Sequence, residues 1–271
     1  MNDLGIHKKA EFSRRRIIEL GYGCGKHGAH FGSSLSLVDI ITNVYSHFFK
    51  LGPAEVESEN RNRFILSKGH GALGYFAVLE AFGFFSSAET ARFEINGSNL
   101  FAHAHKDLKK GIEYSGGSLG LGVSFAVGIA IANKIRNIDS KVIVLVGDGE
   151  CDEGIVWEAL MSAANYDLQN FILIVDRNGM QSDGEKEKIM DQKDLCAKIA
   201  SFGFCVQEVD GHDHRQIQSA FLKESLLPLA VIANTTKGKG ISFMEANPAW
   251  HHGTLTDNQY DLAIQELALR K

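Results

Sequence analysis

Between residues 141 and 235 the chain alternates short β-branched runs with helix-length segments, and this rhythm restricts the fold more than any other feature. Lys141–Val146 (KVIVLV), Phe171–Val175 (FILIV), residues 204–209 and residues 229–235 (LAVIANT) read as strands. Gly154–Tyr166, residues 192–202 and residues 213–225 read as the helices among them. Such alternation calls for right-handed crossovers, so the expectation is an α/β fold with a mostly parallel sheet and helices on both faces. The first third reads as helical, with helix-period apolar positions over residues 8–22, residues 36–49 and Gly71–Phe82. Residues 119–136 form a Gly- and Ala-rich helix suited to close packing on a neighbour, and Thr256–Arg270 reads as a closing amphipathic helix. No Ser/Gly/Pro-rich linker and no repeat divides the chain. One domain is therefore expected over residues 1–271, with a helical N-terminal portion to about residue 136 and an α/β portion over about residues 137–255.

Charge and cysteine usage narrow the classes of function. A net charge of −5 and a pI near 6.1 give no basic field for nucleic acid or an anionic membrane. A phosphorylated ligand would need a local site. Cys24, Cys151, Cys196 and Cys205 show no CxxC pair and no metal-type spacing, as expected of free thiols in a reducing cytosol. The start, MNDLGIHKKAEF, has no apolar core of signal-peptide length, and no run has the apolar length of a membrane span. A cytoplasmic protein is expected.

The chemistry concentrates in Val146–Gln181, which reads strand, GDG, helix, strand, DRN. Two parallel strands joined by a crossover helix end on the same sheet edge. Asp148 and Asn178, each just past a strand, therefore converge. Mg²⁺ takes oxygen ligands, typically one or two carboxylates or carbonyls together with phosphate oxygens. Asp148, Asn178 and a backbone carbonyl near Met180 supply such a set. Gly147 and Gly149 allow close approach of a diphosphate, and the N-terminus of the next helix offers free N–H groups. Either dipeptide alone is an ordinary turn. The pair, with about thirty residues between, resembles the motif by which thiamine-diphosphate enzymes hold the cofactor and Mg²⁺, for which Ca²⁺ or Mn²⁺ can substitute.

Nearly the whole chain resembles the N-terminal half of transketolase. Asn62–Ala72 (NRFILSKGHGA) is similar to the SKGH block, which makes His70 a diphosphate contact. Ser115–Gly122 (SGGSLGLG) is similar to TGSLGQG, which places Gly117, Ser118 and Leu119 beside the cofactor. The resemblance also implies cofactor contacts from Gly149, Glu153 and Asn178. His103 stands before Gly111 as the histidine of a GHP block stands before GVE, and His30 in AHFGSSLS matches GHPGGSLS. Lys237–Gly240 (KGKG) leads to His251 as in the KGKGxSFME…WH segment, giving His251 both a catalytic and a cofactor-binding role. Glu158 corresponds to a glutamate that couples paired active sites across a dimer. The resemblance thus implies a thiamine-diphosphate-binding fold, a glycolaldehyde transferase of the transketolase type, and His30, His103, His251 and Glu158 as catalytic groups. Two departures stand out: AHFGS for GHPGG and AHA for GHP, the first leaning toward the HxxSSL form of deoxyxylulose-phosphate synthases.

Neutral or cationic imidazoles can donate to ketose hydroxyls or phosphate oxygens. Outside the matched motifs a histidine is more often a satisfied structural group, and His7, His27, His47, His105, His212, His214 and His252 are read so. Cys151, in the GDGEC turn, is read as a small packing hydrophobe. Glycines in GGSLGLG without a preceding buried strand do not make a nicotinamide site. Two rival readings stay open: half of a deoxyxylulose-phosphate-synthase-like or 2-oxoacid-decarboxylating enzyme, and a non-catalytic cofactor-binding paralogue.

In the family, the glutamate that activates the aminopyrimidine ring belongs to a second domain, and no segment here resembles it. The resemblance therefore implies a heterotetramer with a C-terminal, pyrimidine-binding transketolase partner, the active site at the interface, and ketose and aldose substrates.

Overall fold

The computed structural model describes residues 3–182 and 184–269. Helices α1 (Asp3–Gly23), α2 (Phe31–Ser36) and α3 (Val38–Phe48) precede a short strand, β1 (Arg63–Leu66). Then come α4 (Ala72–Ala81), the single turn α5 (Ser87–Thr90), α6 (Leu121–Ile135), β2 (Val142–Gly147), α7 (Gly154–Asn165) and β3 (Phe171–Arg177). The turn α8 (Lys186–Ile189), α9 (Leu195–Ser201), β4 (Cys205–Asp210), α10 (His214–Phe221), β5 (Leu229–Asn234) and α11 (Asp257–Leu269) complete the order. The expected closing helix is present as α11, and its anticipated end at Arg270 lies outside the described residues.

The five strands form one parallel sheet in the order β1-β2-β3-β5-β4. β1 departs from the expectation. It lies inside the stretch read as helical, and its four residues are too few to show a period of their own. It takes strand geometry by pairing with β2, Arg63 beside Val142 through Leu66 beside Leu145. The consequence is functional: β1 brings the following Ser67–His70 segment to the same sheet edge as the ends of β2 and β3.

Both faces of the sheet are covered, which explains why β2 is buried at every position. Ile143, Leu145, Ile172 and Ile174 pack on one side with Val38, Ile41, Tyr75 and Phe76 from α3 and α4. Val142, Val144, Leu173 and Val175 pack on the other with Val123 and Ala126 of α6, Leu160 of α7 and Ile199 of α9. Alternate strand residues thus feed two separate cores, the period of two that a pleated strand imposes. Among the described residues no helix is long and apolar enough to cross a membrane.

A buried ionic joint ties the first side together. Asp39 of α3 accepts from Arg14 Nη1 and Nη2, and His212 Nδ1 lies 2.7 Å from Asp39 Oδ2. Burial alone would raise the Asp39 pKa, but Arg14 and His212 outweigh it and hold the carboxyl well below its ordinary value. A carboxyl depressed in the folded state adds stability above its unfolded pKa and loses it as pH falls through the folded one. Asp39→Asn is therefore expected to cost about 3 kcal/mol near neutral pH, because it leaves Arg14 buried without its charge partner. The gap to wild type should narrow as pH falls below 3.8, the ordinary carboxyl value. Urea unfolding midpoints measured at neutral and acid pH check both the size and the sign.

Candidate active site

At the carboxyl edge of the sheet a cavity of about 280 Å³ opens among the loops that follow β1, β2, β3 and β5. Asp148 and Asn178, immediately past β2 and β3, both line it, as the strand–crossover–strand reading requires. The register sets Gly147 beside Asp176, so the two loops leave the sheet level with one another. Asp148 Oδ1 accepts from Gly149 N–H at 3.0 Å, and Oδ2 from Gly179 N–H at 2.7 Å, locking both turns to one carboxylate. Asn178 Oδ1 accepts from Met180 N–H at 3.2 Å.

The electrostatics of Asp148 favour a cation. Its burial and the neighbouring Asp176 carboxylate push its pKa up to about 6, and no basic side chain forms an ion pair with it among the described residues. A divalent ion would relieve that cost, and Asp148, Asn178 and the Met180 segment on one cavity wall form a hard oxygen set suited to Mg²⁺. Space for the diphosphate is present as well. Gly117 lines the cavity at φ +148°, and a Cβ placed there would meet no protein atom. Gly69 shows the opposite constraint: a Cβ would stand 2.8 Å from the His103 ring, so glycine lets the SKGH turn close on His103.

Four histidines from distant parts of the sequence ring the cavity. His30 has ring-centroid separations of 6.2 Å to His70, 5.8 Å to His103 and 5.5 Å to His251, and His70 and His251 lie 5.3 Å apart. Burial, then the neighbouring His252, lowers the His30 pKa to about 3. Burial, then Lys68, also drives His70 well below its ordinary value. Both therefore stay neutral near pH 7 and present one donor and one acceptor nitrogen rather than a charge.

Behind the histidines stands a fully buried pair, Lys68 and Asp176. Asp176 also accepts from Ser36 Oγ at 2.6 Å and from the Thr235 hydroxyl. Burial would raise its pKa, but the Lys68 ammonium and these hydrogen bonds hold it below the ordinary value. One carboxylate thereby fixes the ends of β1 and β5 and the C-terminal end of α2 around β3. Lys237 is the residue that motif reading passes over: it serves to align KGKG, yet its side chain enters the cavity. Its Nζ stands 3.0 Å from Gln181 O and 3.0 Å from His251 Nδ1, and burial, then Lys68, lowers its pKa to about 8. Only the turn after β5 reveals this, because no pattern in KGKG says which lysine points inward.

The cavity also takes in Gly117, Leu119, Gly149 and Met180. Ser118, Glu153 and Glu158 do not line it; all three are exposed, Glu153 at the N-cap of α7 and Glu158 on its outer face. α7 begins one 3₁₀ turn, Gly149–Asp152, beyond the cavity, so Gly149 and not the first turn of α7 faces it. His252, read as structural, has its ring centroid 4.7 Å from that of His30 and joins the histidine cluster from outside. Cys151 is buried with Sγ 3.5 Å from Gly147 O, and burial raises its thiol pKa far above the ordinary value, which suits packing and not redox chemistry.

Residues 13–270 match the family described as transketolase, thiamine diphosphate binding domain. The chain belongs to the transketolase family. An apulose-4-phosphate transketolase subunit from Actinobacillus succinogenes is 38% identical over 264 residues, spanning 97% of this chain and 95% of that protein. A 6-deoxy-6-sulfo-D-fructose transketolase subunit, SqwG, from a Clostridium species is 36% identical over 247 residues, with 90% of each chain covered. The crystal structure of transketolase from Campylobacter jejuni superposes with a TM-score of 0.87 at 28% identity, covering 99% of this chain and 43% of that one. Like the two subunits, this transketolase-family chain is spanned nearly whole; against the longer transketolase it occupies less than half. The expected thiamine-diphosphate-binding α/β fold is thereby met.

Proposed function

We propose that this chain is the diphosphate-binding subunit of a two-subunit transketolase that moves a two-carbon ketol unit from a ketose to an aldose. The observation that carries it is the convergence of His30, His70, His103 and His251 with Asp148 and Asn178 on one cavity. Thiamine diphosphate, when bound, supplies the nucleophilic carbon for carbon–carbon cleavage and re-formation. Asp148, Asn178 and the Met180 carbonyl would hold Mg²⁺, and Gly117, Leu119, Gly149, His70 and Lys237 would receive the diphosphate end. His30, His103 and His251 hold substrate hydroxyls and exchange protons with them, the work expected of neutral imidazoles.

The two-subunit reading is supported by relatives named as subunits, and by exposed apolar residues on α6, Leu121, Phe125 and Ile135, and on α7, Met161. A pyrimidine-binding partner covers this surface in the proposed heterotetramer, where Glu158 on the exposed side of α7 couples the paired sites. The names of those relatives point to sugars bearing a phosphate or sulfo group as the substrate class. Free cysteines at all four positions agree with a cytoplasmic setting.

With its partner and a panel of ketose donors, the enzyme is expected to transfer the ketol unit without releasing CO₂. Pyruvate-dependent CO₂ release with no transfer from any ketose would favour 2-oxoacid chemistry instead. His103→Ala and His251→Ala should each lower kcat/KM about 10- to 100-fold, the loss of one or two hydrogen bonds in the pocket, with unchanged circular dichroism.

A further inference from the structure

The segment leaving β5 carries two cavity residues, Lys237 and His251, yet Thr236 is held by a residue that is not in the cavity. Thr236 N–H donates to His212 Nε2 at 2.9 Å. An imidazole nitrogen that accepts cannot carry a proton, so the His212 proton sits on Nδ1, which donates to Asp39 Oδ2 at 2.7 Å. Asp39 in turn is anchored by Arg14. The backbone of His212 is anchored as well: its N–H donates to Asp210 Oδ1 at 2.8 Å, and the next residue, Asp213, caps α10.

The backbone makes a matching joint. Gly211 N–H donates to Asn234 O at 2.7 Å, and a Cβ at Gly211 would stand 2.4 Å from Thr235 Cγ2. The turn after β4 is therefore fitted against the exit of β5. Thr235 is tied to Asp176 and Gly238 N–H to Gly32 O, but between these two anchors the Thr236 amide is held by His212. Its direction fixes where the Lys237 side chain departs, and Lys237 Nζ must meet both Gln181 O and His251 Nδ1.

We infer that His212 is a positioning residue of the active site: with Asp39 fixing its tautomer, it holds the Thr236 amide so that Lys237 and His251 are presented together to the cavity. The inference rests on the proposed function only in taking Lys237 and His251 as groups that face the thiamine diphosphate.

Hydrogen exchange on the full chain without cofactor tests the joint directly. His212→Asn keeps a donor near Asp39 and loses the reach to Thr236, whereas His212→Gln keeps an acceptor at the distal position. In His212→Asn, exchange over residues 236–251 is expected to rise about tenfold while β2 and β3 keep wild-type protection. In His212→Gln the segment should stay protected. Unchanged protection of residues 236–251 in His212→Asn would overturn the inference, as would loosening of β2 and β3 to the same degree. His212→Gln reads the same segment if the Asn variant does not fold: a loosened segment with the acceptor in place would also overturn it. Calorimetry with thiamine diphosphate and Mg²⁺ adds the functional arm, in which His212→Asn should bind about tenfold more weakly and Lys237→Met should abolish that difference. A difference that persists fully in Lys237→Met would count against the route through Lys237. The wild-type titration tests the proposed function separately, because the exchange result does not depend on it.

Discussion

Asp148→Ala is expected to weaken binding of thiamine diphosphate with Mg²⁺ by a factor of about 100 or more in the assembled enzyme. The carboxylate performs two tasks that its removal ends together. As the charged member of the proposed metal set it supplies the attraction that a neutral ligand cannot, and a hydrogen bond or contact to a charged group is worth about 1.5–3 kcal/mol. It also accepts the Gly149 and Gly179 N–H groups, so the loops after β2 and β3 lose the atom that holds them level. Asn178→Ala removes a neutral member of that proposed set and one local hydrogen bond to Met180 N–H, and a loss nearer tenfold is expected. Isothermal titration with cofactor and Mg²⁺ checks both. Wild-type affinity in both variants would place the metal elsewhere.

The second large effect concerns the chain by itself. Purified free of any second polypeptide, it is expected to show ketol transfer at least about 10⁴-fold below that of the two-subunit enzyme, the upper range for a missing general acid or base. The carboxylates lining the cavity explain why. Asp148 is committed to Gly149 and Gly179, and Glu150 accepts from Ser67 Oγ, Gly120 N–H and Gly147 N–H. Neither is left to activate an aminopyrimidine ring, and in the proposed two-subunit enzyme the partner supplies that carboxylate. Adding the partner should restore transfer and produce a larger species by light scattering. Turnover at the full rate by the isolated chain would remove the two-subunit reading.

Much of this is written in the residue pattern. The β-branched runs of β2, β3 and β5 announce a buried parallel sheet, because strands covered on both faces have no polar side to hide in. GDG and DRN, one crossover apart, announce two loops on one edge, since parallel strands leave the sheet in the same direction. His30, His70, His103 and His251 are found through their motif neighbours, and the structure brings all four to one cavity.

What only the tertiary structure decided depends on contacts between segments far apart in sequence. β1 is a strand because β2 offers it a hydrogen-bonding edge, and four residues carry too little periodicity to say so alone. Lys237 points inward because Gln181 and His251 receive its ammonium, and His252 faces His30 because the tail loop folds back over the start of α2. His212 had every mark of a structural histidine: its partners, Asp39 and the Thr236 amide, lie in other segments, and the second is a backbone group that no side-chain motif records. Local pattern specifies elements and the edge where their loops emerge. Which side chains meet there is set by how distant segments pack, and the sequence holds that information in no local pattern.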